Sequence, residues 1–197
     1  MTPLPFVFPY AIAFWAIMIW AFWPEFRINR RARVAVRSAD SPDAGSYRFI
    51  ILGMWIALTG AYPLGWVDAV RFPKSWETPS FFLGLAVVIG GSLLRRHCWR
   101  MLGASFTGDV QAHAGQQIVT SGAYTFLRHP SYTAGILMYA GIGLSLGSWG
   151  STALLIVSSF ATYGYRIRIE ECTLLQAIGE PYREFMRTRK RLIPYVY

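Results

Sequence analysis

Arg166 and Glu170 stand four residues apart in the run RIRIEE, residues 166–171. On a helix that spacing puts a guanidinium and a carboxylate on one face, with Glu171 turned about 100° away. An exposed pair of this kind contributes well under about 1 kcal/mol and implies no function. This pair, however, follows directly on an uncharged run, residues 133–165. An ionisable side chain facing inward at the end of an apolar span is a candidate site. At the other end of the run lie Arg128, His129 and Pro130. Proline suits a first helical position, which puts His129 at the cap, where free backbone N–H groups and partial positive charge attract an anion. A simple cap with a lipid-headgroup contact would use the same residues. Gln111, Gln116 and Gln117 with Tyr124 and Tyr132 add donors and acceptors beside aromatic faces, as a nucleoside ligand requires. His97, Cys98 and His113 fit no standard zinc spacing and have only Asp109 as an acidic neighbour, so no metal site is expected. Gly141, Gly143 and Gly147 do not follow a strand, and read as helix-packing glycines rather than a dinucleotide loop.

The elements that must position these groups are apolar blocks. Of 197 residues, 54% are hydrophobic and 15% charged, and the mean hydropathy is +0.33, which describes an all-α integral membrane protein. Residues 5–23 and 49–67 are uncharged and close to the roughly 20 residues a spanning helix needs. Residues 80–94 make a shorter third span, with Pro79 in a first turn and Arg95 and Arg96 snorkelling. Residues 130–165 would make a single helix of roughly 54 Å, too long for one crossing, so they fold back. Gly147, Ser148, Trp149 and Gly150 write the turn of a C-terminal hairpin whose arms are each about 24 Å long. The total is about five transmembrane helices. The last continues from Ser151 past Glu171 and stops at Gly179 and Pro181. Beyond it, Tyr182, Phe185 and Met186 separate at helical spacing from Arg183, Arg187, Arg189, Lys190 and Arg191. That pattern suits a helix lying on lipid headgroups, with a lid over a pocket as the lesser alternative.

Of the nineteen Lys and Arg, six lie in residues 25–48, four in 95–130 and seven in 166–197, leaving two in 65–79. With five spans, this asymmetry puts the N-terminus outside and the C-terminus in the cytoplasm, in a bacterial inner membrane or the endoplasmic reticulum. The formal charge of +9 is then a topology and headgroup signal, and no groove-reading motif supports nucleic-acid binding. The first block lacks the flanks of a cleavable signal and is expected to stay as a span. Cys98 and Cys172 fall on the cytoplasmic side and should remain thiols. The chain divides into an N-terminal two-helix region, 1–78, that packs and anchors, and a region 79–197 that carries the chemistry.

The run Val119-Thr120-Ser121-Gly122-Ala123-Tyr124 leads into Arg128-His129-Pro130-Ser131-Tyr132. It is followed by Arg166 to Glu171, Gly179-Glu180-Pro181-Tyr182 and Leu192-Ile193-Pro194. On these residues the C-terminal half, roughly 100–197, resembles the isoprenylcysteine carboxyl methyltransferase family of membrane enzymes. The N-terminal half matches only in being transmembrane. The resemblance implies a cytoplasmic pocket for S-adenosylmethionine lined by Gln111, Gln116, Gln117, Ile118, Val119, Tyr124, His129, Pro130, Ser131, Tyr132 and Glu170. It implies Arg166 and Glu170 as the catalytic pair, with Arg166 holding a substrate carboxylate. Gln116 and Gln117 depart from the His-containing pair usual in the family, and the linker after Gln111 is short.

The acceptor would be a lipophilic, prenylated cysteine entering from the bilayer. Its carboxylate, with a reference pKa of about 3.3–3.7, is already ionised at neutral pH, so positioning rather than a general base is the enzyme's task. The Arg-His-Pro turn is shared with methyltransferases of phospholipid amines and small thiols. Those acceptors must lose a proton, for which His129 or Glu171 would serve. A non-catalytic membrane protein and a membrane reductase using NADPH are the remaining readings.

Overall fold

The computed structural model describes residues 2–35, 45–103 and 118–193. The described residues form six α-helices: α1 (Tyr10–Ala35), α2 (Ser46–Leu64), α3 (Lys74–Leu102), α4 (Pro130–Ser145), α5 (Trp149–Ile178) and α6 (Glu180–Thr188). Short 3-10 turns occupy Leu4–Phe6, Asp68–Val70 and Gly122–Thr125. No strand occurs among the described residues, only isolated bridges from Arg71 to Ser148 and from Leu127 to Lys190. Among them, α3 alone is long and apolar enough to cross a membrane by itself. α1 and α2 carry shorter apolar stretches, Tyr10–Phe26 and Arg48–Leu64.

Two helix starts differ from the sequence expectation. α1 begins at Tyr10, just after Pro9, and the earlier prolines Pro3 and Pro5 belong to a separate 3-10 turn, Leu4–Phe6. α3 begins at Lys74 after Pro73, which leaves Pro79 inside the helix and not in its first turn. Pro79 forfeits one backbone bond there.

The hairpin turn falls where the glycines put it. Gly147 has φ 69°, and Ser148 caps α5 by accepting from the Ser151 N–H at 3.1 Å. The segment between α2 and α3 pins this turn: Ser148 Oγ donates to the Val70 carbonyl at 2.9 Å and Phe72 N–H to the Gly147 carbonyl at 2.9 Å. α4 has 16 residues and α5 has 30, so α5 runs roughly 20 Å further. Its last turns therefore extend beyond the start of α4 with residues 166–178, clear of the uncharged run.

α3 packs on α4, α4 on α5, α2 on α5 and α1 on α3. All five long helices contribute to one apolar core that includes Phe14, Met54, Phe81, Val88, Met138 and Leu155. The α3–α4 contact is backbone to backbone, since a Cβ placed on Gly84 would lie 2.5 Å from the Gly141 carbonyl oxygen. Small residues permit such an approach in a helix pair.

α6 does not present its aromatic face outward. Tyr182 and Phe185 are 4% and 7% exposed, covered by protein, while Glu180, Arg183, Glu184 and Arg187 face away and pair at i, i+3. Both rings pack against the chain and not outward, so the face this helix leaves free is the charged one. Arg191 is not on this helix at all; it lies in the extended segment that follows.

Candidate active site at the hairpin mouth

His129 is the N-cap of α4 and Pro130 its first residue, as the Arg-His-Pro order implies. The imidazole makes no cap bond. The backbone before it is held by the segment after α6. Arg128 N–H donates to the Lys190 carbonyl at 2.8 Å, His129 N–H to the Arg191 carbonyl at 3.1 Å, and Thr133 Oγ1 to the Leu192 carbonyl at 2.7 Å. Leu192, 1% exposed, anchors this strap in a cluster with Ile136, Tyr163 and Ile167.

Opposite the turn stands the far part of α5. The Tyr132 hydroxyl donates to Glu170 Oε2 at 2.8 Å, and Arg166 Nε donates to the Tyr132 oxygen at 3.4 Å. Arg166 is 5% exposed, and its Nη1 donates to Ser46 Oγ at the start of α2, 2.7 Å away. His129 uses both nitrogens toward α5: Nδ1 is 4.0 Å from Glu170 Oε2 and Nε2 is 3.2 Å from Glu171 Oε1. The rings of His129, Tyr132 and Tyr163 follow one another with centroids 5.7 and 5.0 Å apart.

Among the described residues, the Glu171 carboxylate gathers partners from three residues. Arg191 donates from Nη2 at 2.8 Å and from Nε at 3.1 Å, and Arg128 Nε lies 3.3 Å away. Burial pushes its carboxyl up, but the bonds from His129 and Arg191 and the neighbouring positive charge outweigh this and hold it down at about 2. It is an ionised acceptor at any physiological pH. Burial also raises the hydroxyls of Tyr124 and Tyr182, both within reach of Glu170's charge, so each remains a donor.

Ser131 is secured from the N-terminal half. Arg95 Nη1 donates to the Ser131 carbonyl at 2.6 Å and approaches its Oγ at 3.4 Å, while Glu25 of α1 pairs with the same guanidinium. Arg96 lies over the Trp20 ring at 4.4 Å and donates to the Trp20 carbonyl, whereas Arg95 points inward.

Of the residues singled out from sequence, His129, Pro130, Ser131, Tyr132, Arg166 and Glu170 therefore meet at one mouth. Tyr124 is buried in the turn against α3, and Ile118 and Val119 are half-buried on the segment leading into it. Gln111, Gln116 and Gln117, with His113 and Asp109, lie outside the described residues. Sequence reasoning did not find Ser46, Arg95 or Glu25, and it assigned Arg191 to a lipid-facing helix. A part-buried acid and a part-buried base on separate helices are a complementary pair, but nothing in linear spacing links positions 25 and 95.

The phospholipid methyltransferase family model matches residues 79–180, a stretch that holds most of α3, the turn, the hairpin and both Glu170 and Glu171. The chain belongs to that family. It is a methyltransferase, and its relatives point the same way. A probable protein-S-isoprenylcysteine O-methyltransferase of Oryza sativa subsp. indica is 28% identical over 132 residues, covering 66% of this chain and 69% of that one. The protein-S-isoprenylcysteine O-methyltransferase of Schizosaccharomyces pombe is 25% identical over 184 residues, covering 87% and 78%. The solved structure of a eukaryotic intramembrane Ras methyltransferase, an isoprenylcysteine carboxyl methyltransferase, superposes with a TM-score of 0.63 at 26% identity over 72% of this chain. This chain spans about half that structure's length, 52%.

Proposed function

We propose that the chain is a membrane methyltransferase that moves a methyl group from S-adenosylmethionine to the carboxylate of a prenylated cysteine or a similar lipophilic acceptor. The observation that carries this reading is Arg166, a buried guanidinium at the end of an apolar span, one hydroxyl away from the Glu170 carboxylate. In this reading region 79–197 is catalytic, and region 1–78 supplies Glu25 and Ser46 in addition to anchoring. Five spans with the N-terminus outside put the site at the cytoplasmic face, where the positive residues gather.

The residues present fit the methyl donor. Glu170 offers a carboxylate oxygen 4.0 Å from a ring nitrogen of His129, a suitable acceptor set for an ammonium group. When bound, S-adenosylmethionine supplies a methyl group on a positively charged sulfur. Glu170 offsets that positive charge. Arg166 orients the acceptor carboxylate through a charge-assisted bond, so the oxygen is aimed and not merely near. His129 and Arg166 are each only 5% exposed, and a water-poor setting favours a step in which opposite charges cancel. No proton need be removed from the acceptor.

Purified protein incubated with labelled methyl donor and farnesylcysteine, phosphatidylethanolamine or an alkyl thiol tests the reading. Transfer to farnesylcysteine supports it. Transfer only to the amine would move the acceptor class to phospholipids, with His129 as the group that takes the proton.

A further inference from the structure

We propose that Arg191 is a positioning residue for His129 that acts through Glu171: it fixes the carboxylate as acceptor of the Nε2 proton, leaving Nδ1 as a bare acceptor on the Glu170 side. The geometry carries this. Glu171 has a side chain only 4% exposed, and it receives Arg191 Nη2 and Nε on Oε2 at 2.8 and 3.1 Å while Arg128 Nε lies 3.3 Å from Oε1. An ionised carboxylate only accepts. His129 Nε2, 3.2 Å from Oε1, must therefore carry the hydrogen. When the imidazole carries a single N–H, that hydrogen is on Nε2 and Nδ1 is the acceptor.

Nδ1 and Glu170 Oε2 are 4.0 Å apart. Two acceptors do not bond each other, but they can share a donor group that bears several hydrogens. An ammonium has three, and here it would be the amino group of the methyl donor, a step that rests on the proposed function. The groups facing the ring are Arg128 from its own turn, Tyr132 from α4, Glu170 and Glu171 from α5, and the strap's Arg191 through Glu171. The strap is attached independently of the Arg191 side chain, by the Lys190, Arg191 and Leu192 carbonyls and by burial of Leu192. Arg191→Gln should consequently fold.

The test uses protein labelled with 15N-histidine in detergent micelles, whose three histidines allow His129 to be assigned by substituting the other two. Imidazole nitrogen spectra are recorded alongside calorimetric titration with S-adenosylhomocysteine. The expected wild-type spectrum has the His129 proton on Nε2. Arg191→Gln should give a mixture of tautomers and about tenfold weaker binding, the scale of losing a partner that orients a histidine, with Arg191→Lys recovering part of both. A wild-type proton on Nδ1, or on both nitrogens, would overturn the proposal. So would an Arg191→Gln spectrum and affinity identical to wild type. If Arg191→Gln does not fold, the wild-type spectrum and Arg191→Lys decide. The expected spectra with no S-adenosylhomocysteine binding would support the role of Arg191 and contradict the methyl-donor reading.

Discussion

Tyr132 and Glu170 are joined by a 2.8 Å hydrogen bond that ties the first turn of α4 to the far part of α5, and Arg166 reaches the same hydroxyl at 3.4 Å. One phenol thus separates the guanidinium from the carboxylate. Both charged groups meet one hydroxyl, and in the proposed function they serve different ligands.

That separation predicts different losses from two substitutions. Arg166→Ala should lower methyl transfer by at least about a hundredfold, through lost orientation of the acceptor, while S-adenosylhomocysteine still binds. Glu170→Ala should lose both transfer and binding. Calorimetry and a transfer assay on the same preparations distinguish them, and full activity in both variants would remove the pair from the mechanism.

Glu171 makes stability depend on acid. Its pKa is held below the ordinary 4.5, at about 2, so the folded state binds its proton later than the unfolded state does. The resulting stabilisation is fully present above about 4.5 and is lost as pH falls toward 2, on the order of 3 kcal/mol at most. Melting temperature measured against pH should fall in that window for the wild type and much less for Glu171→Gln. Parallel curves would show that the carboxylate contributes nothing through ionisation.

Glu25 and Arg95 behave as a part-buried pair. Glu25→Ala leaves the guanidinium beside Ser131 without its carboxylate and should cost about 1–3 kcal/mol, whereas Glu25→Leu combined with Arg95→Met should recover most of that. The double variant should still bind S-adenosylhomocysteine less well, because the Ser131 carbonyl has lost its donor. Thermal melts and calorimetry read the two effects separately, and a double variant no more stable than Glu25→Ala would contradict the pairing.

Gly84 sets how close α3 comes to α4. Gly84→Ala puts a methyl group 2.5 Å from the Gly141 carbonyl oxygen and the Ser145 nitrogen, both backbone atoms, so the helices must part, at a cost of about 1–3 kcal/mol. Gly90→Ala on the same helix meets nothing within 4 Å and should be neutral. Equal melting temperatures for the two variants would mean that the contact is not tight.

The hairpin, its cap and the long α5 were legible in the sequence because their signals are local. A glycine turn, a proline at a first position and a Gly-Glu-Pro stop each act over a few residues. The start of α1 was misjudged because hydropathy counts Pro5 and Pro9 within an apolar block while backbone geometry excludes them. Half the site was readable from Arg166 and Glu170 at helical spacing. Glu25 with Arg95, Ser46 with Arg166, and Arg191 with Glu171 were not, since each joins separate elements. The basic run 187–191 looked like a lipid-facing stripe until the helix ended at Thr188 and turned Arg191 inward.

The bond formed by the transferred methyl group tests the central claim most directly. Label moved from S-adenosylmethionine to farnesylcysteine should be released as methanol by mild base, as an ester requires, and Arg166→Ala should yield almost none. Label that stays attached through base treatment, as on nitrogen or sulfur, would contradict carboxylate methylation at this site.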